Sequence, residues 1–405
     1  MKNSVICILA VFLCSKPFAQ SITPNLVFAT FSNEVVKPAK FISLHPATKE
    51  VSAKYLNAYI KRKESVKAVL GYTKKKRAVG VHYFPGVSGE KVLIIGGMHG
   101  SELSSVELAK TIIQHLEKGV YPYYDVLIIP ELFPDNVAFA QSVVKTKNTV
   151  NAGRYTTRSG VDPNRQMPTP GKPFNETNPI DANGRLIEME NQYLLQLIQE
   201  HKPSHIINLH AIRDVSKAGI YADPRTDCKG VALGFEPDSV IAVSIAMDIY
   251  KKGGCVTGNN LSSNPTALYY KDPLIAPAGT LQKRNLHGSL LPGNRGNGVS
   301  LGTWASTSVC ENDMVTRNAS SLITIEFPGY NSSNACDDSI QKRECLLNIR
   351  LYSAAIINFL CCREIEQAGF VKTDQITRLT SPSTGCPTQV NINPSASSFS
   401  VNTSL

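Results

Sequence analysis

The run Val92-Leu93-Ile94-Ile95 stops at Gly96-Gly97, and Met98-His99-Gly100-Ser101-Glu102 follows before an amphipathic stretch over 104–116. Such an apolar run reads as a buried strand, the paired glycines allow a sharp turn, and the 3.6-residue spacing beyond them predicts a helix. A strand, turn and helix in that order is the unit from which layered α/β sheets are built. At its corner, His99 and Glu102 stand three residues apart and can face one point. A second short run, Ile206-Ile207-Asn208-Leu209-His210, also places an imidazole at a strand end. The carboxyl ends of parallel strands open into one crevice. His99, Glu102 and His210 are therefore candidate ligands for one metal ion, and three protein ligands plus an open position is the catalytic arrangement of zinc.

Further elements extend the pattern. Strands are predicted over 79–84 and 126–129, and a helix over 188–201, ending before Pro203 and feeding the His210 strand. Repeated strand–helix–strand order implies an α/β fold, a mixed and largely parallel twisted sheet with helices on both faces. Helices are also expected near 53–69, over 231–250 and over 344–369. Between 251 and 320 the pattern dissolves into Gly, Asn, Ser and Pro, a long loop insertion whose ends Cys255 and Cys310 could tether. The expected division is a leader at 1–20, a lead-in at 21–70, a catalytic domain at 71–370 and a polar tail at 371–405.

Two more motifs complete a constellation. Asp162-Pro163-Asn164-Arg165 lies between the two metal half-sites, and Glu326 follows the apolar run 322–325 in Thr324-Ile325-Glu326-Phe327-Pro328. HxxE, DxNR, strand-His and strand-Glu in this order resemble the zinc metallocarboxypeptidase family over roughly residues 71–360, and most resemble its bacterial branch that trims cell-wall peptides, including murein peptide amidase. The resemblance implies one zinc ion held by His99, Glu102 and His210, with Glu326 as general base. It further implies that Asn164 and Arg165 grip a substrate carboxylate, for which an Arg fork is the natural partner. An oxyanion-stabilising arginine is implied too, Arg154 or Arg158, with Arg154 favoured by spacing. The family's substrate-closing aromatic would fall 22 residues before the catalytic glutamate, at Trp304 (326 − 22 = 304), the only tryptophan. Glu311, 15 residues before Glu326, falls where the substrate side chain is selected, and an acid there would suit an amino-bearing group.

The N-terminus implies export. Lys2 precedes an unbroken apolar run at 5–13, and Pro17-Phe18-Ala19-Gln20-Ser21 offers a cut after Ala19 or Gln20; this reads as a secretory signal, too short to span a membrane. No later run reaches about 18 apolar residues, so no transmembrane segment is expected. Of ten cysteines, eight follow the leader, and an even number in an exported chain argues for disulfides. The net charge of +10 suits a polyanionic surface such as cell wall, but no nucleic-acid-binding motif accompanies it. Oligomeric state leaves no signal. The expected activity is that of a secreted or periplasmic zinc carboxypeptidase or amidase acting on peptides, including peptidoglycan peptides. The alternatives are an N-acyl amino acid deacylase of the succinylglutamate desuccinylase or aspartoacylase type, and a non-catalytic binding protein on the same fold.

Overall fold

The computed structural model describes residues 50–143, 151–156, 159–234, 236–259, 261, 297–329 and 339–361. An eight-stranded sheet runs through them in the order β1 (Glu50–Ser52), β2 (Val66–Tyr72), β3 (Ala78–Phe84), β5 (Asp125–Ile129), β4 (Lys91–Ile95), β6 (His205–Ile212), β12 (Ser321–Pro328), β7 (Gly219–Ala222). Its centre, β5-β4-β6-β12, is parallel throughout. The flanking pairs β2–β3, β3–β5 and β12–β7 are antiparallel, and β1 returns parallel to β2. The mixed, mostly parallel sheet expected from the sequence is thus the one observed.

Alternation along each central strand divides the core in two. Val92 and Ile94 of β4 pack with Leu108, Ile112 and Leu116 of helix α2 (Leu103–Glu117). Leu93 and Ile95 face the other way, towards Leu194, Leu195 and Ile198 of α4 (Met189–His201). Both layers are buried, and burying each Leu or Ile contributes roughly 1.5–3 kcal/mol, so the register of the strands is strongly held.

Several boundaries differ from those read in the sequence. The helix expected over 53–69 is only α1 (Leu56–Arg62); from Val66 the chain becomes β2, whose residues Val66 and Ala68 are buried. The sheet therefore begins before residue 71, within the supposed lead-in. The helix expected from 231 starts later, as α5 (Glu236–Lys251), because 232–234 form strand β9 (Ala232–Gly234), paired with β8 (Arg225–Thr226). In the supposed loop stand a short helix α6 (Leu301–Ala305) and a hairpin of β10 (Val309–Glu311) and β11 (Met314–Arg317). The leader, the tail and residues 262–296 of the loop lie outside the described residues.

Cys310 pairs with Cys228, Cα atoms 5.8 Å apart, and not with Cys255. Cys255 is itself disulfide-bonded. The hairpin is thereby fixed to the turn after β8. The last described helix, α7 (Ser339–Cys361), is long and apolar enough over 340–361 to cross a membrane by length and composition. Here Tyr352, Ile356, Phe359 and Leu360 of that helix are fully buried in the core beside α2.

Helix α3 (Pro134–Val143) supports the corner after β4. Gly97 takes φ +66°, which a side chain resists. A Cβ at Gly100 would lie 2.3 Å from the backbone carbon of Asn136. Gly100→Ala is therefore expected to push the corner off α3, lower stability by about 1–3 kcal/mol and weaken metal binding. Thermal unfolding with and without zinc checks both effects.

Candidate metal centre and active-site cleft

The turn after β4 carries His99 and Glu102 above the carboxyl edge of the sheet, and β6 brings His210 to the same edge. Ile95 is the register partner of Asn208, two residues before His210. All three side chains are buried, with relative exposures of 4% for His99, 2% for Glu102 and 4% for His210. Nδ1 of His99 lies 2.7 Å from Oε1 of Glu102, and Nδ1 of His210 lies 3.0 Å from Oε2. One potential ligand atom from each residue falls within 4.8 Å of the others. The sequence-predicted ligands thus meet at one point.

The surrounding groups fit a metal ion. Oδ1 of Asp162 lies 2.9 Å from Nε2 of His99, so the outer nitrogen donates to a carboxylate and Nδ1 is left as the ligand atom. Around His210 the amide of Asn208 lies with its nitrogen 2.9 Å from Nε2, while its buried Oδ1 has no partner. Turned over, the amide accepts from Nε2–H, satisfies its oxygen and again leaves Nδ1 with the lone pair. This donor set, two imidazoles and one carboxylate, suits zinc.

Electrostatics follow from burial against pairing. Burial alone would raise the Glu102 carboxyl, but the charges and hydrogen bonds of His99 and His210 outweigh it and hold it far below the usual range. Desolvation pulls His99 down, yet Glu102 and Asp162 together raise it to about 9. Asp162 is held low against its own burial by His99 and Arg154. Glu326 is the register partner of His210 across β6 and β12. Its carboxyl is raised, chiefly by burial, with His210 opposing and Glu102 adding.

His99, Glu102, His210 and Glu326 line a cleft of about 640 Å³ together with Arg154, Asn164 and Arg165. Arg154 donates from Nη1 to Oε1 of Glu102 at 3.1 Å and from Nη2 to Oδ2 of Asp162 at 3.3 Å; Arg158 lies outside the described residues. Asp162 caps the turn by accepting from the Asn164 backbone N–H at 2.8 Å. The side-chain oxygen of Asn164 accepts from Leu301 N–H at 2.9 Å, so its amide N–H groups remain as donors 3.4 Å from Nε2 of His210. Arg165 donates once to the Asn164 carbonyl, at 2.7 Å.

Two expected substrate residues fall elsewhere. Trp304 is fully buried; it donates from Nε1 to the Lys172 carbonyl at 3.1 Å and lies under the Arg317 guanidinium. It is a packing residue because α6 turns its indole into the core. Glu311 is exposed on the β10–β11 hairpin and does not line the cleft. Conversely, the cleft includes Thr324, Asp223, Ser300 and Gly302, which the sequence reading missed. Strand alternation could have found Thr324, two residues before Glu326; Asp223 comes from the loop after β7 and Ser300 and Gly302 from the start of α6, and none of them leaves a local signal.

Two imidazoles and a carboxylate converging at a sheet edge, with a further glutamate beside them and arginines around them, define the centre of a metal-dependent hydrolase. Residues 77–227 match the family model described as zinc carboxypeptidase, so this stretch of the chain is similar to that family's metal-binding domain. The match spans His99 to His210; Glu326 lies beyond it, brought in by the β6–β12 pairing. Comparison with curated proteins gives no match. Among solved structures, bovine thrombin-activatable fibrinolysis inhibitor is similar at 15% identity and TM-score 0.41, over 76% of this chain and 95% of that one. Murein-tripeptide amidase from Escherichia coli O157 is similar at 16% identity and TM-score 0.35, over 71% of this chain and 91% of that one.

Two outcomes are expected. A ligand must lose its proton before it binds a metal. Zinc affinity should therefore climb by up to about tenfold per pH unit as pH rises toward about 9, the raised value of His99, and level off above it. Competition with a fluorescent chelator measures this, and a flat profile would contradict the ion pairing described. Glu311→Gln should leave peptide kinetics unchanged, whereas Trp304→Ala should cost about 3–5 kcal/mol of stability, read from denaturant unfolding.

Proposed function

We propose that the protein is an exported carboxypeptidase or amidase that binds one zinc ion and hydrolyses a peptide bond near a free carboxylate, with peptidoglycan peptides as its substrates. The observation that carries the reading is the convergence of His99, Glu102, His210 and Glu326 in one cleft with Arg154, Asn164 and Arg165. Zinc held by the two imidazoles and Glu102 would lower the pKa of a bound water toward ~7 and polarise a carbonyl.

The chain's own residues do the rest. Arg165 and the amide donors of Asn164 fix a substrate carboxylate, setting its angle as well as its charge. Glu326, raised by its burial, accepts a proton from the attacking water and hands it to the leaving amine. Arg154 supplies positive charge where the carbonyl oxygen becomes anionic. Support for export comes from the basic and apolar start of the chain and from the Cys228–Cys310 bridge, which suits an oxidising compartment. Support for cell-wall peptides comes from the motif order and the basic charge.

The test is incubation of zinc-loaded protein with muropeptides and with ordinary peptides, followed by mass spectrometry. Glu326→Gln should reduce release by about 10²–10⁴-fold, and Arg165→Gln should raise KM for substrates with a free carboxylate more than for their amides. Release from ordinary peptides alone would remove the cell-wall assignment. Turnover of N-acyl amino acids in preference to any peptide would replace it with a deacylase.

A further inference from the structure

Glu188 stands outside the catalytic cleft, at the position just before α4, where its backbone is extended (φ −62°, ψ 147°). A side chain at such a position ordinarily turns back to accept from the first N–H groups of the helix. Glu188 makes no such bond. Its carboxylate, on a residue only 7% exposed, reaches instead to Ser159, whose Oγ donates to Oε1 at 3.1 Å. The positive end of α4 favours a negative charge at this buried place.

Ser159 is one link of a hydrogen-bonded chain whose direction is fixed at both ends. Its Oγ lies 2.8 Å from Oγ1 of Thr156, and that Oγ1 accepts from the Val161 backbone N–H at 3.3 Å. A backbone N–H can only donate, and a carboxylate only accepts. Thr156 therefore takes the Val161 hydrogen and gives its own to Ser159, and Ser159 gives its own to Glu188. Each hydroxyl both accepts and donates, and such a run is strengthened by ending on a charged acceptor.

The same residues close a turn. Thr156 N–H donates to the Val161 carbonyl at 2.9 Å, and Gly160 N–H donates to the Thr156 carbonyl at 2.9 Å. Closed in this way, the turn sends Arg154 out of one end and Asp162 out of the other, and the two side chains meet, Nη2 to Oδ2, at 3.3 Å. From there Arg154 reaches Glu102, and Asp162 reaches His99. On the side next to Arg154, the Asn136 amide secures the turn by donating to the Tyr155 carbonyl at 3.1 Å. The chain from Val161 to Glu188 secures the other side.

We infer that Glu188 is a positioning residue for the metal centre. Through Ser159 and Thr156 it holds Asp162 against His99, and Arg154 where a carbonyl oxygen becomes anionic. The Asp162 half concerns metal binding alone; the Arg154 half rests on the peptidase reading.

The test compares the full chain with Glu188→Ala, Glu188→Gln and Ser159→Ala. Ser159 is exposed, so its variant keeps the question open to measurement if Glu188→Ala does not fold. Zinc affinity, from competition with a chelator, should fall about fivefold in Glu188→Ala and Ser159→Ala, less than removal of Asp162 itself would cost. Glu188→Gln keeps an oxygen for Ser159 to bond and should stay close to the unaltered chain. For peptide hydrolysis, kcat should fall about tenfold in the same two variants with KM little changed. That loss should vanish where Arg154→Ala is already present, because two substitutions acting through one group do not add; a general loss of stability would add. Unchanged zinc affinity in both variants overturns the assignment whether or not peptides are cleaved. A kcat loss that persists in full beside Arg154→Ala overturns the Arg154 half. Weakened zinc binding in a protein that cleaves no peptide supports the Asp162 half and removes the peptidase reading.

Discussion

The parallel register of β6 against β12 is the constraint on which the site depends. It sets Glu326 beside His210 and Thr324 beside Asn208, and extends to Ser321 beside His205. Side chains alternate along each strand, so a slip of one residue would exchange His210 and Glu326 for Leu209 and Ile325. Those neighbours belong to the buried apolar layer formed with α2, α5 and α7. The packing that fixes the sheet therefore also fixes the distance between a candidate base and a candidate ligand.

Pairing compensates burial throughout the metal centre. Glu102 sits between two imidazoles and accepts from the Ala211 backbone N–H at 3.1 Å. Asp162 serves His99, Arg154 and the Asn164 backbone at once. Each buried charge has an opposite one within hydrogen-bond reach, which makes the cluster tolerable without water. It also leaves the imidazoles oriented for a cation rather than merely packed.

Much of this was legible because its signals are local. The strand, glycine pair and HxxE of 92–102, the DxNR turn and the two strand-end residues each announce themselves within a few positions, and each lands where the α/β pattern puts it. What failed depended on distance. Trp304 lies at a plausible spacing from Glu326, but spacing says nothing about which way a five-residue helix turns its indole. Glu311 belongs to a stretch whose hairpin and disulfide to Cys228 carry it away from the cleft. The alternation of 66–69 runs on without a break from the helical pattern that starts at Ala53, and only pairing with β3 makes it strand.

Helix α6 accounts for the tryptophan's position better than substrate contact does. Its first N–H, at Leu301, holds the Asn164 oxygen and so orients the amide donors toward the cleft. Its last turn, from Trp304 to Ala305, offers carbonyls to the buried Arg317, with the indole as the platform beneath that guanidinium. Orphan carbonyls at a helix C-terminus need donors, and a cation there also matches the helix dipole. Five residues therefore connect the amide facing the metal site to a buried arginine beyond the other end of the strands. The aromatic that sequence spacing assigned to substrate closure acts as the rigid centre of that connection.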